Sequence, residues 1–128
     1  MNILLVENDP TDMKLLSAVL RSDGHRVYCK GSAEQAEEEI KAHRPDVILL
    51  DLKLPGMDGL DLARRLKNNP ATQEIPIIAI TAAFERFSQS EAFAAGCDAF
   101  IPKPVDTREL PRQIADAASK TRTKPLPT

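Results

Sequence analysis

The sequence lacks an excess of positive charge, a long apolar run and any signal-peptide pattern ahead of its first apolar stretch. It carries 17 basic and 19 acidic residues, for a net charge of −2. Nucleic-acid binding needs a concentrated basic face, so we expect no direct DNA binding. A membrane span needs roughly 20 consecutive apolar residues, and no run approaches that length, so we expect no membrane insertion.

Cysteine is also scarce: Cys29 and Cys97 lie far apart, form no CxxC pair and have no histidine at metal-site spacing. This usage is typical of reduced, mostly buried thiols, and we therefore expect a cytoplasmic protein. The 128 residues, 42% of them hydrophobic, suffice for one domain. We predict that this domain covers residues 1–120, and that residues 121–128, which show no periodicity, form a flexible tail.

Short apolar stretches recur along the chain. Residues 3–6, 47–50 and 77–80 are rich in β-branched residues and do not alternate with polar ones. This pattern is typical of parallel strands that helices cover on both faces. Arg26–Lys30 alternates, and residues 99–102 include a proline that a central strand could not hold, so we predict edge strands there.

Helical segments with start and stop signals separate these strands. Asp9 before Pro10 is typical of a helix cap followed by proline at the first helical position. Caps are predicted at three further positions: Ser32 and Ser88, both in capping boxes, and Asp58. A last helix follows Asp106, where Pro111 should bend the helix or delay its start. Alternating strands and helices predict the α/β class, with a doubly wound parallel sheet.

Polar residues follow four of the predicted strands at the point where each strand ends. In such sheets, ligands bind beyond the carboxyl ends of the strands. The residues at that edge are Glu7 and Asn8 after the first strand, Asp51 after the third, Thr81 and Ala82 after the fourth, and Lys103 after the fifth. Any one of them could be an ordinary turn residue, but together they favour a site for a cation or a phosphate.

The stretch DLKLPGMDG at 51–59, with Thr81-Ala82 and FIPKP at 100–104, resembles the CheY-like receiver domain of the two-component response regulators. The resemblance covers nearly the whole chain and is strongest to stand-alone, single-domain regulators of the DivK type. It implies a flavodoxin-like (βα)5 sandwich with a five-stranded parallel sheet in the order 2-1-3-4-5.

The resemblance also implies a role for each site residue. Asp51 would accept a phosphoryl group from a histidine kinase or a phosphotransfer protein. Thr81 would hydrogen-bond a phosphoryl oxygen, and Lys103 would pair with the charge of the phosphoryl group. The rotation of the Phe100 side chain would report the phosphorylation state. The implied Mg²⁺ ligands are Glu7, the residue at Asn8, Asp51 and the backbone carbonyl of Lys53. The chain would not be an enzyme, but an acceptor that assists its own phosphorylation and dephosphorylation.

The chain departs from the family pattern at Asn8, where the family usually has an acidic metal ligand. Asp9 could replace that ligand, but its position before Pro10 favours the helix cap. We therefore expect a Mg²⁺ site that is one charge short and binds the ion more weakly. Lys103-Pro104 resembles the family's cis peptide bond, although trans is the commoner state of such bonds.

The four phenylalanines fall within one stretch of the sequence, from 84 to 100. Phe84 and Phe87 lie in a polar loop and are predicted to be exposed on a partner-binding surface, whereas Phe93 is predicted to lie in the core. The resemblance implies that helix 4, strand 5 and helix 5 form the face that contacts a downstream protein partner. We expect a monomer or a weak homodimer.

Other functions compete with a phospho-accepting switch. Asn8 favours a pseudo-receiver, a protein-binding module that works without phosphorylation. The retained Asp51, Thr81 and Lys103 argue against that reading. A haloacid-dehalogenase-type phosphatase needs a second Asp two residues after the first, where this chain has Lys53. A flavodoxin needs a phosphate-cradling loop after the first strand, and the sequence has none there.

Overall fold

Strands and helices alternate along residues 1–83 and 87–123, which are the residues that the computed structural model describes. The elements are β1 (Asn2–Val6), α1 (Pro10–Ser22), β2 (Arg26–Lys30), α2 (Ala33–Ala42), β3 (Val47–Asp51), α3 (Gly59–Lys67), β4 (Ile77–Thr81), α4 (Gln89–Ala94), β5 (Ala99–Pro102) and α5 (Leu110–Thr123). All strand pairs are parallel, in the order β2-β1-β3-β4-β5. The predicted fold class, strand order and edge strands are confirmed.

The sheet divides the core into two clusters because successive side chains of a strand point to opposite faces. Leu4 and Val6 of β1 lie in the cluster covered by α2, α3 and α4, whereas Ile3 and Leu5 lie in the cluster covered by α1 and α5. Both clusters are completed by β3 and β4, whose residues are all buried. Burying such an aliphatic side chain stabilises the fold by roughly 1.5–3 kcal/mol. The strand ends that form the site therefore rest on a rigid, doubly covered sheet.

The first two helices begin with side-chain caps. The Asp9 carboxylate accepts the backbone N–H of Thr11 at 2.8 Å, which confirms the predicted cap. Ser32 accepts the N–H of Gln35, but the Gln35 side chain accepts from the backbone of Gly31, so the predicted capping box is only half formed. The cap of α1 matters for the site because it fixes this helix directly after β1.

The last helix differs from its prediction at both ends. Its first residue is Leu110, so the start is delayed as predicted. Pro111 therefore lies in the first turn, where a backbone N–H would have no hydrogen-bond partner within the helix. The helix continues to Thr123, so the prediction that the tail begins at 121 is wrong. The reason is that no Pro or Gly follows Pro111 within the helix. None of the described helices has the length and apolar character that crossing a membrane requires.

Candidate functional site

A pocket of about 380 Å³ opens at the carboxyl ends of the strands. Its lining residues are Glu7, Asn8, Asp9, Asp12, Asp51, Lys53, Ala82, Ala83 and Lys103. Five of them are residues for which the sequence predicted a role as phosphate acceptor, metal ligand or charge partner: Glu7, Asn8, Asp51, Lys53 and Lys103. The structure therefore gathers residues from the two ends of the chain and its middle into one site.

The Lys103 ammonium of this pocket contacts three carboxylates. Its Nζ lies 3.0 Å from each carboxylate oxygen of Glu7. It also lies 3.0 Å from Oδ2 of Asp12 and 3.1 Å from Oδ2 of Asp51. The Lys103-Pro104 peptide bond is cis. The ammonium thus forms ion pairs with carboxylates from the residue after β1, from α1 and from the end of β3.

Burial sets the protonation behaviour of this cluster. The Glu7 side chain is 0% exposed, and its burial and the nearby Asp51 charge raise its pKa to about 7, although Lys103 opposes the rise. Burial alone would lower the pKa of Lys103, but hydrogen bonds to Asp12, Glu7 and Asp51 raise it well above its ordinary value. The Lys103 ammonium therefore stays charged, and it lies beside the Glu7 carboxyl group, whose raised pKa disfavours ionisation.

Asp51 is the last residue of β3, and its carboxylate is held by two donors. Oδ1 accepts the backbone N–H of Lys53 at 3.0 Å, while Oδ2 faces the Lys103 ammonium. The loop can return closely because residue 59 is glycine: a Cβ there would lie 2.6 Å from the Asp51 carbonyl oxygen. The Asp51 carboxylate is therefore oriented before any ligand arrives.

Asp12 is the functional residue that the sequence analysis missed. It lies in the first turn of α1, and helical side chains point back toward the helix N-terminus, here toward the end of β1. The expectation of a Mg²⁺ site that is one charge short at Asn8 stays a prediction, but Asp12 adds to the pocket a carboxylate that this expectation did not count. A signal existed in the sequence, namely an acid three residues after the Asp9 cap, but acids in a first helical turn are common for reasons of the helix dipole alone.

Thr81 and Phe100 lie next to the pocket and not in its lining. Thr81 is buried at the end of β4, and its Oγ1 accepts the backbone N–H of Ala83 at 3.0 Å. Phe100 of β5 is half-buried and packs against the core cluster on the α2–α4 face.

The phenylalanine predictions need correction. Phe87 is 2% exposed, so the prediction of an exposed side chain there is wrong, and Phe93, predicted to be buried, is 45% exposed. Phe87 precedes the Ser88 cap and shares a core cluster with Ala92, an arrangement typical of a hydrophobic staple. Because Ala92 faces inward, the next residue of the helix points away from the core. Phe84 lies outside the described residues.

The donor atoms of the pocket fit Mg²⁺. Glu7 and Asp51 offer buried carboxylates, and the pocket is also lined by Asn8, whose side chain carries an amide oxygen, and by Lys53. In the described part of the chain, no three acidic, histidine or cysteine side chains are grouped to hold a metal ion. Mg²⁺ does not need such a group, because it is typically held by one or two carboxylates together with water and phosphate oxygens.

The profile of the response regulator receiver domain matches residues 3–115. The chain belongs to this family. The receiver is 34% identical over 119 residues to the phosphate regulon transcriptional regulatory protein PhoB of Pseudomonas aeruginosa, an alignment that covers 93% of this chain and 52% of PhoB. It is 31% identical over 113 residues to the polar-differentiation response regulator DivK of Brucella anthropi, covering 88% of this chain and 89% of DivK.

The receiver spans about half the length of the first curated relatives that it matches. Among solved structures, it is similar to the receiver domain of the sensor histidine kinase PA1611 of Pseudomonas aeruginosa, which was solved with a magnesium ion coordinated in its active-site cleft. That likeness has a TM-score of 0.84 and 32% identity, and it covers 92% of this chain and 97% of the other.

Proposed function

We propose that this receiver is a cytoplasmic phosphorylation switch that accepts a phosphoryl group on Asp51 from a histidine kinase or a phosphotransfer protein, in a Mg²⁺-dependent reaction. The observation that carries the proposal is the Lys103 ammonium, which lies 3.1 Å from the Asp51 carboxylate in an open pocket. Two free cysteines support a reducing compartment. The receiver is not an enzyme in this proposal, but it assists its own phosphorylation and dephosphorylation.

The reaction is transfer of a phosphoryl group between a histidine nitrogen and a carboxylate oxygen. An Asp51 oxygen forms a bond to phosphorus while the phosphorus–nitrogen bond breaks and its electron pair stays on the departing imidazole. Lys103 neutralises charge on the transferred oxygens, and Thr81 donates its hydroxyl to one of them. Bound Mg²⁺ would supply further charge neutralisation and alignment, held by four groups: Glu7, Asn8, Asp51 and the Lys53 carbonyl.

The proposed output is a change in the face formed by α4, β5 and α5. Thr81 Oγ1 accepts the Ala83 N–H at the start of the loop before α4, so a movement of Thr81 toward a phosphoryl oxygen would be passed to this loop. Phe100 is half-buried on the neighbouring strand, where it can respond to that loop. The exposed Phe93 of α4 supplies an apolar contact for a downstream protein partner.

The proposed donor surface lies beside the acceptor pocket. A second, apolar pocket of about 300 Å³ lies between α1 and the segment after β5, and it shares Asp12 and Lys103 with the first. Its apolar wall includes the exposed Leu15 and the half-buried Val105. Because this apolar wall adjoins the pocket of Asp51, we propose that the phosphoryl donor docks there.

Acetyl phosphate tests the function directly. We expect incubation with acetyl phosphate and Mg²⁺ to add the mass of one phosphoryl group to the intact protein, and we expect a chelator such as EDTA to prevent the addition. Intact-mass spectrometry measures both. A folded protein that gains no mass over a wide range of Mg²⁺ concentrations would instead support the pseudo-receiver, and equal labelling with and without EDTA would contradict the role of the ion.

The lifetime of the phosphorylated form is expected to depend on Lys53. This residue lines the pocket, and its ammonium can cover the phosphoryl group on the side from which water attacks, while Ala83 offers no base to orient that water. An exposed charge contact is worth roughly 0.2–1 kcal/mol, so Lys53→Ala should shorten the half-life by about 1.4- to fivefold. Decay of the labelled mass measures it, with Lys53→Arg as a charge-retaining control. An unchanged or longer half-life in Lys53→Ala would show that this lysine is merely solvated.

A further inference from the structure

The three carboxylates that contact the Lys103 ammonium differ in exposure. Glu7 and Asp51 are buried at the ends of β1 and β3. The Asp12 side chain is 36% exposed, compared with 12% for Lys103, and it approaches from the first turn of α1. The ammonium therefore has two inner partners and one outer partner.

The inner partners are also the carboxylates that fit Mg²⁺. Lys103 contacts both carboxylate oxygens of Glu7 and one of Asp51, so the ammonium and a metal ion compete for the same atoms. Two cations at these atoms also repel each other. Binding of the ion is therefore easier if the ammonium keeps a partner outside the metal's donor set, and Asp12 is that partner.

The formal charges of the side chains in the pocket also point to Asp12. Without Asp12, the carboxylates of Glu7, Asp9 and Asp51 exceed the ammonium groups of Lys53 and Lys103 by one charge. With Asp12, the residues that line the pocket carry two net negative charges before a cation arrives. Asn8 lies in the connection between β1 and α1, and its side chain supplies no charge. Asp12 thus restores the charge that an acid at position 8 would provide, one helical turn further along the chain.

We propose that Asp12 is a positioning residue of the phosphorylation site. Its carboxylate holds the Lys103 ammonium at the outer wall of the pocket, supplies the charge that Asn8 does not, and leaves Glu7 and Asp51 available to Mg²⁺. This inference rests on the proposed function, because it assigns a further residue to the same site.

The Mg²⁺ affinity of the unphosphorylated protein tests the proposal without measuring phosphorylation. Titration calorimetry should show that Asp12→Asn weakens binding by about tenfold, because the ammonium then stays on Glu7 and a nearby charge is lost. The matched control is Asp9→Asn, which removes a charge from the same pocket wall while Asn still caps α1. We expect a loss of about threefold at most there. Equal losses in the two variants would overturn the positioning role.

A double-mutant cycle with residue 8 tests the compensation. Asn8→Asp alone should tighten Mg²⁺ binding by about tenfold, as the lost ligand charge returns. In that background, Asp12→Asn should weaken binding by only about twofold, since the new carboxylate keeps the pocket negative. Strictly additive effects would overturn the compensation. Melting temperatures without Mg²⁺ establish that each variant is folded.

The outcomes separate this inference from the proposed function. If the wild type binds Mg²⁺ and is labelled by acetyl phosphate while Asp12→Asn matches it in affinity, then the inference alone fails. If neither the wild type nor Asn8→Asp binds Mg²⁺, then both fail.

Discussion

Asp51→Asn abolishes the gain of phosphoryl mass from acetyl phosphate, because an amide oxygen is too weak a nucleophile to replace the carboxylate. The variant keeps the size of the side chain and its contact with the Lys53 N–H. It also removes one of two neighbouring buried carboxylates, which relieves the repulsion that helps to raise the pKa of Glu7. We therefore expect a folded protein whose melting temperature equals or exceeds that of the wild type.

Asp58→Asn is the matched control for this variant. Asp58 also lies in the segment after β3, but its side chain caps α3, a role that Asn fills equally well. Intact-mass spectrometry should show full labelling of Asp58→Asn and none of Asp51→Asn. Stoichiometric labelling of a folded Asp51→Asn variant would place the acceptor on another residue.

Lys103→Met has the second largest expected effect, and it acts on both chemistry and stability. Removing one preorganised charge donor from a transfer site slows the reaction by roughly 10²- to 10³-fold, so we expect labelling at saturating Mg²⁺ to slow by that factor. Removing one partner of a buried ion pair destabilises a fold by about 3–5 kcal/mol. Glu7 can reduce this loss by taking up a proton, so we expect about 2–3 kcal/mol at neutral pH.

The loss of stability in Lys103→Met should depend on pH in a defined direction. The pKa of Glu7 in the folded protein is already raised to about 7, above its ordinary value of 4.5, and without the ammonium it rises further. The folded state then binds a proton that the unfolded state has released, so the variant becomes less stable as the pH rises through that pKa. Urea unfolding should show a larger difference from wild type at pH 8 than at pH 6.

Lys14→Met makes the same chemical change at an exposed position of α1 and should alter stability by no more than about 0.5 kcal/mol. A Lys103→Met variant that is labelled at the wild-type rate would remove the ammonium from the proposed mechanism. A pH-independent loss of stability would mean that Glu7 is not the group that responds.

The local sequence predicted the strands and most helix starts because each of these signals acts over a few residues. The buried apolar run before Glu7 and the cap at Asp9 both behave in the structure as their patterns indicate. Pro111 likewise delayed α5 as expected. The predicted order of strands in the sheet came from the family resemblance, because neither periodicity nor spacing indicates which strands pair with each other. Strand-end residues such as Asp51 were predictable for a different reason: a parallel sheet brings all its carboxyl ends to one edge.

Two of the failures of prediction, Phe93 and Asp12, share a physical cause, which is the rotation of a helix about its axis. Whether Phe93 faces the core or the solvent depends on how α4 packs, and the helix has only six residues from which to read a pattern. Asp12 was missed for the same reason, because its direction follows from how α1 lies against β1. Phe87 lies before its helix, in a loop whose packing no periodicity describes.

The Lys103 ammonium is, in polymer terms, a noncovalent cross-link. It ties residue 103 to partners 96, 91 and 52 positions earlier, at Glu7, Asp12 and Asp51. Closing loops of this length restricts a chain as a disulfide would, and the two cysteines of this chain form none. Unlike a disulfide, this link opens without a redox reaction. A phosphoryl group on Asp51 that draws the ammonium to itself would keep the link to Asp51 and release Glu7 and Asp12, while β1 stays paired with β2 and β3. Phosphorylation would therefore loosen side chains at the pocket without loosening the strand before Glu7.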